Sequence, residues 1–214
     1  MIKATTKPKD ATSYRETSFG IISRAKLLTL ELEGTKRGLE YLLDLASKEQ
    51  NILISKEIIL KLHEVSFGWI FPSWAGKYRI SQVFFSGKEA VPYYKVPELM
   101  LNLCEDLKER LLHLPNKNKE NYILTVISLL AWFQHQFVVV HPFQDYNGRT
   151  ARMLTSFILF YLNLPSIELE AEKSDRKQYL TAMQRADEGE YSLFENLLGK
   201  ALVESLSEIQ KKKK

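Results

Sequence analysis

Two apolar runs, residues 123–133 and 153–164, bracket a short polar segment and largely decide what the chain can fold into. Each is broken by hydroxyl or amide residues: Thr125 and Ser128 in the first, Thr155, Ser156 and Asn163 in the second. Neither supplies the roughly 20 consecutive apolar residues that a membrane span needs. Both therefore read as helices buried on most of their surface, and such helices belong at the centre of a core. The chain has 214 residues, 45% of them hydrophobic and 26% charged. That is ordinary for a globular protein and suits one substantial domain better than two.

Helical periodicity recurs around these runs. Ile21, Ile22, Ala25, Leu28 and Leu32 fall at helical spacing, which predicts a helix over about 19–34 with Gly34 as its stop. A second is expected over 36–48. A third is expected over 55–67, where Ser55 can cap. Further helices are expected over 97–114, 119–138, 148–162, 174–186 and 191–209. Between them, Pro72, Gly76, Gly87, Pro92 and Pro97 crowd a segment rich in Tyr, Phe and Val. Residues 80–85 and 89–93 read there as two short strands joined at Ser86-Gly87. The expected fold class is mostly α: a helical bundle with a small β-hairpin, one domain over 17–209. A polar N-terminal segment, 1–16, is expected to be loosely ordered, and 210–214 form a basic tail.

The net charge of +4 is matched by the tail, Lys211 to Lys214, so the body is close to neutral. A terminal lysine run is most often a solvated end, and nucleic acid is not an expected partner. Cys104 is the only cysteine, which excludes an internal disulfide and fits a reducing compartment. No apolar core of a secretory signal stands near Met1, so the expected location is cytoplasmic, without a membrane partner.

The segment between the two apolar helices reads His141-Pro142-Phe143-Gln144-Asp145-Tyr146-Asn147-Gly148-Arg149-Thr150-Ala151-Arg152. A helix starting near Gly148 presents unpaired N–H groups and a positive dipole end. Arg149 and Arg152 share the face of its first turn. Two cations at such an end call for an anion, and together these features describe a phosphate site. Asp145 is a hard oxygen ligand suited to Mg²⁺ bridging phosphates. His141 can take a proton from a hydroxyl near neutral pH. Pro142 and Phe143 would pin the loop to the core. Any one of these residues alone is ordinary, and His63, His113 and His135 read as structural. Their order within one short loop is what argues for chemistry. The chain has neither a P-loop nor Cys/His metal spacing.

This segment resembles the Fic family motif, His-Pro-Phe-x-Asp/Glu-Gly-Asn-Gly-Arg-x-x-Arg. Gly76-Lys77-Tyr78-Arg79, the hairpin after it, and Val96-Pro97-Glu98-Leu99-Met100 look similar to the family's region ahead of the catalytic helices. The resemblance covers roughly 19–200. It implies a protein adenylyltransferase that moves AMP from ATP to a hydroxyl side chain of a target protein. It also implies His141 as general base, Asp145 as the Mg²⁺ ligand, and Asn147 and Gly148 lining the hole for the α- and β-phosphates. Arg149 would support the phosphates and Arg152 would reach the γ-phosphate. The hairpin would be the flap along which the target lies as an added strand. Dimerisation is common in such families, though no residue here defines a homodimer interface.

The family's second signature is an inhibitory helix with Ser/Thr-x-x-x-Glu-Gly/Asn. Thr29-Leu30-Glu31-Leu32-Glu33-Gly34 is similar to it. The resemblance implies that Glu33 pairs with Arg152 and takes the place of the γ-phosphate. It also leaves room for a reverse, AMP-removing activity in which Glu33 acts on a water.

Tyr146 departs from the motif, where glycine stands. If the loop needs a positive φ there, tyrosine costs roughly 1–2 kcal/mol. Three consequences stay open. The ring can point away and leave a working site, it can select a different phosphate-containing donor, or it can leave a nucleotide-binding module that does not react. Ala151, where glycine is frequent, is harmless inside a helix.

Overall fold

The computed structural model describes residues 15–48, 52–85, 87–167 and 176–212. The polar segment 1–14 and the last two lysines lie outside them. The elements run β1 (Arg15–Thr17), β2 (Gly20–Ile22), α1 (Arg24–Lys48), α2 (Lys56–Phe67), β3 (Phe84–Phe85), β4 (Lys88–Glu89), α3 (Val96–Leu112), α4 (Tyr122–Val140), α5 (Asn147–Tyr161), α6 (Arg176–Asp187) and α7 (Ser192–Lys212). The mostly α class with a small hairpin holds.

The first apolar run is the hub. α4 buries residues on every side, from Val126 and Leu130 to Phe133 and Phe137, and α3, α5 and α7 pack around it. By length and composition α4 could cross a membrane, yet Leu130, Phe133 and Phe137 lie in the core at 1% exposure or less. The second run, α5, lies beside it and also touches α1 and α2.

The largest departure from the sequence expectation lies at the start. Residues 15–22 form an antiparallel hairpin, with Arg15 opposite Ile22 and Thr17 opposite Gly20. Helix α1 then runs unbroken through Gly34, where a stop was expected. Gly34 is there for contact: a Cβ on it would stand 2.3 Å from the Ser66 carbonyl oxygen. At Gly38 a Cβ would stand 2.2 Å from the Ser66 hydroxyl. The two glycines let the backbones of α1 and α2 approach closely, and that contact outweighs their low helix propensity.

Helix α2 starts as expected, with Ser55 capping through a bond from the Ile58 N–H. The strands of the second hairpin are shorter than expected, two residues each, with Phe84 opposite Glu89 and Phe85 opposite Lys88. The tail is helical through Lys212.

Candidate active site

α4 delivers the site. It ends at Val140, and His141 takes the left-handed conformation, φ 49°, turning the chain out of the helix. Pro142 follows and cannot continue a helix. Phe143 is fully buried and stacks on His63 with ring centroids 3.7 Å apart. Asn147 closes the loop on itself. Its side-chain oxygen accepts the Phe143 N–H at 2.8 Å and its amide donates to the Phe143 carbonyl at 2.9 Å. The Asn147 side chain thus shapes the loop.

Tyr146 does adopt a positive φ, 61°, immediately before α5. Its ring stacks on Phe67 at 4.3 Å and lies near Phe71 and Trp74. With 8% of its surface exposed, the side chain packs into an aromatic cluster of α2 and the following turn. Asp145 accepts the Tyr146 N–H at 2.7 Å. Thr150 closes the first turn of α5, both its N–H and hydroxyl reaching the Tyr146 carbonyl at 3.0 Å.

A cleft of about 660 Å³ opens over this loop, a size suited to a small-molecule ligand. His141, Asp145, Asn147, Gly148, Arg149 and Arg152 all line it, with Tyr146 beside them. The structure thus brings together every loop residue expected to meet the nucleotide, the metal or the acceptor hydroxyl. Three residues of α1, Arg24, Leu28 and Glu31, and three of α6, Arg176, Tyr179 and Leu180, complete the lining.

The carboxylate that α1 sends into the cleft is Glu31, not Glu33. Glu31 is 1% exposed. It accepts the Tyr146 hydroxyl at 2.7 Å, Arg149 Nη1 at 2.7 Å and Arg24 Nη1 at 2.9 Å. Glu33 is half-exposed and pairs with Arg37 one turn along its own helix, at 3.1 Å, so the expected Glu33–Arg152 pair does not form. Helix geometry explains the exchange. Two residues rotate by about 200°, so Glu31 and Glu33 cannot face the same site. The buried stripe of α1 is Leu27, Glu31, Gly34, Gly38 and Leu42. Thr29 is exposed, its hydroxyl bonded back to the Ala25 carbonyl, and Gly34 serves the contact with α2.

Nδ1 of His141 lies 3.2 Å from the Val138 carbonyl. A carbonyl only accepts, so Nδ1 carries the proton and Nε2 keeps its lone pair. Burial, and secondarily the charge of Arg79, pushes the His141 pKa below its ordinary value, while the Val138 contact and Asp145 oppose that. The imidazole is therefore neutral and basic at pH 7. The flap hairpin covers one face of it, with the Phe85 ring stacked at 4.2 Å and 9°. Asp145 can serve a Mg²⁺ held jointly with phosphates, since that ion commonly takes only one or two protein carboxylates.

His63 contributes more than core packing. Its Nδ1 accepts the Gly76 N–H at 2.9 Å and its Nε2 donates to the Asp145 carbonyl at 3.1 Å, so it fixes the loop from below. His113 is exposed at a helix end and bonds its own helix at Glu109. His135 is buried between Asp187 and Tyr191.

Comparison with known proteins agrees with this geometry. The family model described as Fic/DOC family matches residues 53–159, half of the chain. The chain is 31% identical over 180 residues to the protein adenylyltransferase Fic of Nematostella vectensis, covering 84% of this chain and 39% of that protein. It is 29% identical over 171 residues to protein adenylyltransferase fic-1 of Caenorhabditis elegans, covering 79% and 31%. The chain therefore spans well under half the length of these curated relatives. A solved structure of Fic-1 residues 134–508 from C. elegans superposes with a TM-score of 0.67 at 28% identity, covering 85% of this chain and 52% of that one. Sequence, loop geometry and superposition agree: the chain belongs to the Fic/DOC family.

Proposed function

We propose that the chain transfers AMP from ATP to a hydroxyl side chain of a protein; its curated relatives are named protein adenylyltransferases. The observation that carries this reading is the placement of a neutral, basic His141 in the same cleft as the α5 N-terminus, Arg149 and Arg152. The acceptor hydroxyl oxygen attacks the α-phosphorus. Its proton passes to His141 Nε2, a new P–O bond forms, and the bond from the α-phosphorus to the bridging oxygen breaks to release pyrophosphate. Positioning and charge neutralisation dominate such a step. The α5 N–H groups, Arg149 and Arg152 neutralise the phosphates, and Asp145 would hold Mg²⁺, which would supply further charge neutralisation.

The resting site is self-inhibited through Glu31. Its carboxylate occupies Arg149 with a charge-assisted bond and sets a negative charge where the triphosphate must lie. The packing of the Tyr146 ring against Phe67 supports a working site over a blocked one. The short β3–β4 hairpin, with Phe84 exposed on it, suits a target held as an added strand. The test is transfer of label from α-labelled ATP with Mg²⁺ to an added lysate or to the chain itself. Label that requires His141 supports the reading; equal label from wild type and His141→Ala sinks it.

A further inference from the structure

Outside the motif, one buried cation gathers the backbone of both the catalytic loop and the hairpin. Arg79 is 4% exposed. Its Nε donates to the His141 carbonyl at 2.8 Å, and Nη2 reaches the Val140 carbonyl at 3.4 Å. On its other side Nη1 donates to the Ser81 carbonyl at 3.0 Å and Nη2 to that of Val91. Its own N–H donates to the Pro142 carbonyl at 2.9 Å.

The two sets of acceptors have different jobs. Val140 and His141 are where α4 ends, so their carbonyls lack intrahelical partners and carry the negative end of the dipole. Ser81 and Val91 flank β3 and β4 and are the two legs of the hairpin. Between them stands a planar group whose five N–H bonds have fixed directions. We propose that Arg79 is a positioning residue that locks His141 and the hairpin into one geometry, so that the proton acceptor and the strand that presents the acceptor hydroxyl stay in register. Its activity arm rests on the adenylyl-transfer reading.

Two features support the assignment. His141 sits at a positive φ, which a non-glycine residue holds only when its surroundings insist, and Arg79 bonds both its carbonyl and that of the next residue. The Phe85–His141 stack joins hairpin to base side by side, and Arg79 ties the same two segments through their backbones. Arg79 does not line the cleft, so it acts through His141 rather than on the nucleotide. Lysine, a point charge on a flexible stem, cannot reproduce a fork that spans both sets of carbonyls.

The experiment compares the wild-type chain, Arg79→Lys and Arg79→Gln. We expect kcat for AMP transfer to fall about tenfold or more in both folded variants, with KM for ATP changing by less than about threefold. The titration of His141, followed by NMR without any substrate, should move to higher pH in Arg79→Gln and lose its single sharp environment in both. A folded Glu31→Gln chain that transfers no AMP defeats the adenylyl reading alone, and the titration then decides the role of Arg79. A folded Arg79→Gln with an unchanged His141 titration and an unchanged Phe85–His141 contact would overturn the proposal. Should neither variant fold, the wild type decides. Its Arg79 side-chain N–H signals must be resolved and slow to exchange, and freely averaging signals would overturn the assignment.

Discussion

The hydroxyl of Tyr146 donates to the buried carboxylate of Glu31 at 2.7 Å, joining the catalytic loop to α1. The residue that breaks the motif and the residue that enters the cleft are thus partners. Tyrosine brings two things that glycine could not: a ring for the aromatic cluster of Phe67, Phe71 and Trp74, and a donor for Glu31.

Tyr146→Phe keeps the ring and removes the donor. It should cost about 1.5–3 kcal/mol of stability, the usual net worth of a hydrogen bond to a charged group. Tyr146→Gly restores the family's residue and relieves a left-handed strain of roughly 1–2 kcal/mol. Like Tyr146→Phe it loses the donor, and it also deletes a buried aromatic, a loss of about 3–5 kcal/mol. Chemical denaturation should therefore find Tyr146→Gly less stable than Tyr146→Phe. A stabilised Tyr146→Gly would mean that the ring contributes little.

Gly34→Ala should destabilise the chain despite alanine's better helix propensity. The added methyl would meet the Ser66 backbone oxygen at 2.3 Å, and backbone cannot rotate aside. Overpacking of this kind costs about 1–3 kcal/mol. A lower melting temperature is expected, and an unchanged or raised one would show that α1 can lift off α2 freely.

His63 predicts a pH dependence. Burial pushes its pKa down to about 4, against an ordinary 6.5. The unfolded chain takes up this proton as pH falls through 6.5, while the folded chain refuses it until about 4. Stability is thus fully present above 6.5, is lost between 6.5 and 4, and levels off below. The loss is roughly 3 kcal/mol at 1.36 kcal/mol per unit. Urea midpoints measured across that window should fall, and His63→Gln should flatten this part of the slope. Equal slopes in both proteins would remove His63 from the account.

The loop is legible in the sequence because its residues are consecutive: His141 to Arg152 need no tertiary information to be set side by side. The two apolar runs likewise announce α4 and α5. Glu31 is harder to read, since Thr29 and Glu33 of the pattern lie off the buried face of the helix, which only Gly34 shares with Glu31. The signal that finds it is the stripe Leu27, Glu31, Gly34, Gly38, Leu42, in which a carboxylate occupies a core position. That stripe becomes visible only if α1 is allowed to pass through Gly34. The loop-holding roles of Arg79 and His63 escape local reading, because their partners are carbonyls some sixty to eighty residues away. Backbone acceptors leave no mark on side-chain pattern.

The claim that organises the rest is that Glu31 restrains the site. Transfer of label from α-labelled ATP should be measured for wild type, Glu31→Gln, Glu33→Gly, and Glu31→Gln combined with His141→Ala. Freeing Arg149 from a charge-assisted contact of about 1.5–3 kcal/mol should raise transfer about ten- to a hundredfold at subsaturating ATP in Glu31→Gln. The double variant should abolish it, and Glu33→Gly should stay near wild type. Release of activity by Glu33→Gly with none from a folded Glu31→Gln would contradict the account.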